Sequence, residues 1–217
     1  MFKWLNKVIN KLFGEPTPYK EVPVIPALEL KNVAGRKIAI VVGHIPGGGA
    51  KGHKIIERDF NMEVARHMLK DLADNGADVQ VYYHAIRHYG KRQDRLRKNI
   101  LRQQGKCDIV IELHCNAFSS GSAKGAEYLY RGYKNLALCF AKSQKEMWPS
   151  TALRRSGGTY RKTSGNGAGF LLKAPGPAVL TEPFFLSNKG EADIYRGNEE
   201  KLADCYCLAC DDFLKSS

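Results

Sequence analysis

The sequence has no run approaching the roughly 20 apolar residues that a membrane-spanning helix needs, which excludes a helical channel or transporter. It is also short of acid: 22 Asp and Glu stand against 34 Lys and Arg, for a formal net charge of +12. That excess calls for a polyanionic partner or surface, and nucleic acid, anionic lipid and the acidic polymers of bacterial envelopes all fit. Zinc-finger spacings and RNA-binding motifs are missing, which counts against nucleic acid. Internal repeats and low-complexity tracts are missing too. With 43% hydrophobic and 26% charged residues the composition is globular rather than disordered. The six cysteines lie mostly inside apolar segments, so they are read as reduced, buried hydrophobes in a chain made in the cytoplasm. The run Cys205, Cys207, Cys210 is not read as a metal site, because on a helix Cys207 points away from the other two.

What is present falls into two parts. Residues 1–13 put Phe2, Leu5, Val8, Ile9, Leu12 and Phe13 at helical spacing, with Lys3, Lys7 and Lys11 on another face. Polar residues interrupt any signal-peptide core and no cleavage site follows. A basic amphipathic helix is expected, lying either in a membrane interface or against the main domain. Residues 14–34 carry five of the glycines and prolines that mark a connector, so 1–34 reads as helix plus connector and 35–217 as a single domain. Within it, strand patterns at 37–42, 78–83, 108–113, 126–131, 169–172 and 178–181 alternate with helical ones at 57–74, 91–104, 135–148 and 199–214. This predicts an α/β fold, a mostly parallel twisted sheet flanked by helices.

Ligands of such sheets bind beyond the carboxyl ends of the strands. Here KIAIVV runs into His44, DIVIEL into His114 and AVLT into Glu182, while Glu57 opens the first long helix after a glycine-rich loop. Two histidines and one glutamate make an open zinc site with a fourth position left for water, and the other glutamate is then free to move protons.

The pieces VVGH (41–44), ERDFN (57–61), IELHCNA (111–117), GAEYLY (125–130) and PAVLTEPFFLSN (177–188) resemble, in order, the zinc-dependent N-acetylmuramoyl-L-alanine amidases of bacterial autolysins and phage endolysins. The resemblance implies Zn²⁺ held by His44, Glu57 and His114, with Glu182 as the catalytic carboxylate. It also implies the substrate, peptidoglycan, and the bond, between the lactyl group of N-acetylmuramic acid and the L-alanine of the stem peptide. Residues 35–217 become a catalytic domain. The expected role is that of a phage or prophage lysin, made in the cytoplasm without a cleavable signal and acting on the wall after release; a cellular autolysin and a zinc peptidase acting on stem peptides are the alternatives.

The chain also departs from the family, which usually has a small polar residue where Glu112 stands and an arginine near His84. Glu112 shares a strand face with His114, and is read as a carboxylate that orients that ligand. Asn116 is a candidate hydrogen-bond donor to substrate. His53, His67, His84 and His88 are read as solvated or locally hydrogen-bonded. Two basic clusters remain: Arg87, Lys91, Arg92, Arg95, Arg97, Lys98 and Arg102 on a helix, and Arg154, Arg155, Arg161 and Lys162 around a flexible stretch. The first, with residues 1–13, is expected to face anionic envelope polymers or a membrane surface. In the second, Arg154 and Arg155 are candidates for holding stem-peptide carboxylates.

Overall fold

The computed structural model describes residues 28–46, 48–84, 89–155 and 157–216, apart from the side chains of 89–93. The helix expected at 1–13, most of the connector, Gly47, Arg87, His88 and the side chains of Lys91 and Arg92 lie outside the described residues.

Alternation of apolar side chains builds the sheet. Strand β1 (Lys37–Val42) turns Ile38, Ile40 and Val42 to one face and Ala39 and Val41 to the other, and all five are fully buried. A strand buried on both faces belongs at the centre of a layered α/β domain. A two-residue hairpin follows, β2 (Lys51–Gly52) with β3 (Ile55–Ile56). Helix α1 (Glu57–Asp74) then leads to β4 (Asp78–Tyr83), and α2 (Tyr89–Gln103) to β5 (Ile109–Leu113); both strands lie parallel to β1, one on each side. Next come β6 (Glu127–Tyr130), α3 (Lys134–Met147), β7 (Thr159–Arg161), α4 (Ala168–Lys173), β8 (Ala178–Glu182), α5 (Lys189–Tyr195) and α6 (Glu199–Leu214). The sheet order is β4-β1-β5-β8-β6-β7. β8 is parallel to β5, β6 is antiparallel to β8, and β7 is parallel to β6.

Helices α1, α3 and α6 bury their apolar stripes on the face of Ile38, through residues such as Phe60, Met68, Phe140 and Tyr206. Helices α2 and α4 cover the other face with Leu96, Ile100, Phe170 and Leu171. Each such side chain contributes about 1.5–3 kcal/mol by leaving water. No helix among the described residues is long and apolar enough to cross a membrane.

Three features differ from the sequence reading. Residues 169–172, expected as a strand, lie in α4: Gly167 takes a left-handed φ of 82° and starts a helical turn that buries Phe170 and Leu171 and leaves Leu172 exposed. The β2–β3 hairpin, strand β7 and helix α5 were not anticipated. Finally, Leu30 and Val33 are already in the core, Leu30 N–H donates to Asn75 Oδ1 at 2.9 Å, and Asn32 donates to Asp211 through both its backbone and its side chain. Packing therefore begins upstream of the boundary expected at Gly35.

Candidate metal and catalytic centre

The carboxyl ends of β1, β5 and β8 meet at one sheet edge, and reversal of β6 brings its first residue to the same place. His44 follows β1 in a left-handed conformation (φ 63°) that turns its ring over the edge. Gly43 before it must be glycine, because a Cβ there would stand 2.5 Å from both His114 Cε1 and the Leu113 carbonyl. Glu57 is the first residue of α1 and is buried, at 2% exposure. Its Oε2 accepts the Ala50 N–H at 2.7 Å and its Oε1 the Cys115 N–H at 3.0 Å. A carboxylate at a helix N-terminus is also favoured by the helix dipole.

His44 Nε2 lies 2.9 Å from Glu57 Oε1, and His114 Nδ1 lies 3.1 Å from each of them. The two rings meet edge to face with centroids 4.7 Å apart. Burial alone would raise the Glu57 pKa, but its hydrogen bonds to His114 and His44 outweigh that and hold it well below the usual carboxylate range. Among the described residues these three form a group able to hold a metal ion. Three mutually facing donors, two imidazoles and one carboxylate, fit a tetrahedral cation with one position open.

The triad opens on a cleft of about 440 Å³ that is also lined by Asn116, Glu127, Arg155, Tyr160, Lys162 and Glu182. Glu182 is the last residue of β8, opposite Glu127 in the β6–β8 register. The residue is partly exposed to the cleft, yet its Oε2 is buried with no hydrogen-bond partner. Burial, helped by the charges of Glu57, Glu127 and Glu112 and opposed by His114, pushes its pKa up to about 8.

The family described as N-acetylmuramoyl-L-alanine amidase matches residues 38–211, most of the chain. The chain belongs to that family. A relative, the germination-specific N-acetylmuramoyl-L-alanine amidase of Bacillus subtilis (strain 168), is 29% identical over 176 residues, covering 75% of this chain and 72% of its own. Among solved structures, the catalytic domain of the CD27L endolysin targeting Clostridia difficile is 26% identical with a TM-score of 0.64, covering 81% of this chain and 96% of that one. The CwlD amidase of Clostridioides difficile, solved in complex with the GerS lipoprotein, shares the fold at 21% identity and a TM-score of 0.68, covering 84% of this chain and all of that one. The protein is thus an N-acetylmuramoyl-L-alanine amidase acting on peptidoglycan.

The amidase places its remaining candidates unevenly. Glu112 is buried, with its Oε1 2.7 Å from His84 Nε2 and 3.7 Å from His114 Nε2. It stands on the opposite side of the His114 ring from Glu57, the position from which a carboxylate would orient that imidazole if a metal were bound. His84, read from sequence as solvated or locally bonded, is instead 2% exposed and paired with Glu112 across 28 residues. A carboxylate on a strand buried on both faces requires such a partner, and that was the signal available for finding it. His53 is exposed near the Ser187 carbonyl, and His67 lies 3.9 Å from Glu200.

Glu127 was not singled out, yet it organises the far wall. Its Oε1 accepts from Arg154 Nε at 2.9 Å and Asn116 Nδ2 at 3.3 Å, and its Oε2 accepts from Arg155 Nε at 3.0 Å. Arg154 also donates to the Lys124 carbonyl and sits over the Phe185 ring, outside the cleft lining. Asn116 and Arg155 do line the cleft.

Proposed function

We propose that this amidase is a zinc enzyme that cuts between the lactyl group of N-acetylmuramic acid and the L-alanine of the stem peptide, in the role of a phage or prophage lysin. The observation that carries the zinc reading is the meeting of His44, Glu57 and His114 donor atoms within 3.1 Å of one another. Ligands about 2.0–2.1 Å from a tetrahedral zinc stand roughly 3.3 Å apart, so a few tenths of an ångström of adjustment suffice. Glu112, 3.7 Å from His114, adds negative charge behind the triad, which favours a cation. When bound, zinc supplies a Lewis acid that acidifies water and polarises the scissile carbonyl.

The protein's own groups do the rest. His44, Glu57 and His114 hold the ion. Glu182, anchored by Pro183 as the chain leaves β8, takes a proton from the attacking water and passes it to the leaving amine. Its buried Oε2 and raised pKa make it a stronger base than a solvated carboxylate. Asn116 and Arg155 bind substrate from the same cleft, and Arg154 braces the wall behind them. The exposed Arg95, Arg97, Lys98 and Arg102 on α2 draw the protein to anionic envelope polymers.

Likeness to an endolysin catalytic domain supports the lysin role, whereas the germination-specific relative favours a second reading, wall remodelling by a cellular autolysin. The chemical test is to digest peptidoglycan with the purified protein, with and without chelator, and to identify the new ends. Alanine amino termini on intact stem peptides, lost with chelator and restored by zinc, are the expected result. Cuts within the peptide, or full activity after chelation, would overturn the assignment. Rapid lysis of growing cells once their membrane is permeabilised separates a lysin from an enzyme confined to germination.

A further inference from the structure

We infer that the cleft carries an anionic subsite, built from Arg155, Tyr160 and Lys162, that recognises a free carboxylate on the second residue of the stem peptide. The inference rests on the amidase reading above and names a substrate feature that reading leaves open. Arg155 is fixed from two sides: its Nε donates to buried Glu127, and its guanidinium carbon lies 4.0 Å from the centroid of the Tyr160 ring. Its backbone is left-handed at φ 52°, a conformation that a non-glycine residue keeps only where its surroundings enforce it. Lys162 Nζ lies 5.6 Å from the same ring, and among the described residues it has no carboxylate partner. Within the cleft lining Arg155 and Lys162 stand together on this wall, and the carboxylate nearest to them, Glu127, is already engaged by Arg154 and Asn116 as well as by Arg155. With Nε engaged, the terminal N–H groups of Arg155 keep the fork geometry that suits a carboxylate.

The spacing fits the proposed substrate. Glu182 and Glu127 are directly opposed across β8 and β6, and Arg155 is one hydrogen bond beyond Glu127, so the guanidinium lies along the same wall past the proton-transfer group. In a stem peptide whose second residue is a glutamate linked through its γ-carboxyl, the α-carboxylate lies about 7 Å from the scissile carbonyl by standard backbone dimensions. Conversion of that carboxylate to an amide removes the charge Arg155 and Lys162 are placed to meet.

The test compares two soluble muramoyl peptides that differ only there, one with the free acid and one with the amide. Zinc-loaded enzyme is expected to show kcat/KM about tenfold or more higher for the acid, the scale of a charge-assisted hydrogen bond. Arg155→Gln and Lys162→Gln should each collapse that ratio towards one, with Arg155→Lys keeping part of it. The same comparison is made as Kd on Glu182→Gln, where turnover is slowed. Equal kcat/KM and equal Kd for acid and amide would overturn the subsite. A preserved Kd preference with no hydrolysis of either compound would support the subsite while refuting the amidase reading beneath it.

Discussion

Glu182 is a carboxylate among carboxylates, and its proposed role as a base fixes the direction of its pH response. A base works ionised, so activity should rise with pH. The ordinary carboxyl value of 4.5 is lifted towards about 8, and a cation in the triad draws it back down. The acid limb of kcat/KM is therefore expected to have its midpoint between those limits. Glu182→Gln should erase the limb and lower the rate by roughly 10²–10⁴, with zinc content unchanged. Loss of zinc would make Glu182 a ligand; retention of most activity would move the role to another carboxylate. Behind the triad, Glu112→Gln keeps the shape but weakens the brace on His114. Zinc affinity, measured by chelator competition, should fall about 10–100-fold. A lower melting temperature with unaltered affinity would show that Glu112 only packs. Residues at strand ends were legible in the sequence because period and termination place them. His84 was not, since its partner lies on β5, with β1 between β5 and the strand that His84 follows.

Among the elements, β1, β5 and β8 were readable because each is short, apolar and ends on a chemically distinctive residue. The 169–172 segment misled for the same reason: three consecutive apolar residues after a glycine suit a buried strand or a helical turn equally, and the left-handed Gly167 decides for the helix. β7 is three residues beside a glycine pair, too short for a pattern. The contact of α1 with α6 carries a different kind of information. Asp204 on α6 has its pKa raised from 3.8 to about 6, chiefly by burial and then by the charges of Asp71 and Glu200, with His67 opposing. A folded value above the unfolded one means that the group favours folding below about 3.8 and loses that contribution as pH rises through about 6. Asp204→Asn removes the resulting cost. After allowance for solvent screening at this half-exposed site, it should add about 1 kcal/mol at pH 7.5, or roughly 2–4 °C in Tm. The gain should shrink towards zero near pH 4 in parallel melts; an equal gain at both pH values would mean that charge is not the cause.

For the whole molecule the net charge of +12 is the dominant long-range quantity. Isolated walls are polyanionic, so binding should weaken steeply as salt rises from about 50 to 500 mM, when the screening length falls from above 10 Å to a few ångströms. Binding that ignores salt would place recognition in the cleft alone. The charge was fully legible in the sequence, but its distribution over the fold was not. Arg95, Arg97, Lys98 and Arg102 on α2 are solvated, whereas Arg154 and Arg155 are organised by a buried glutamate that no local pattern reveals.

The cysteines form no disulfide, and all but Cys139 are buried. Burial raises the pKa of Cys107 to about 11 and of Cys205 to about 12, so neither is a thiolate at neutral pH, and Cys115, Cys207 and Cys210 are raised as well. These five sulfurs are thereby insulated from oxidants and alkylating reagents while the fold is closed. Their labelling becomes a stopwatch for opening: in excess reagent, each modification event counts one excursion of the core into solvent. A fold with no cross-link to lose should melt at the same temperature in reducing and in oxidising buffer, and its five silent thiols record how seldom it lets go.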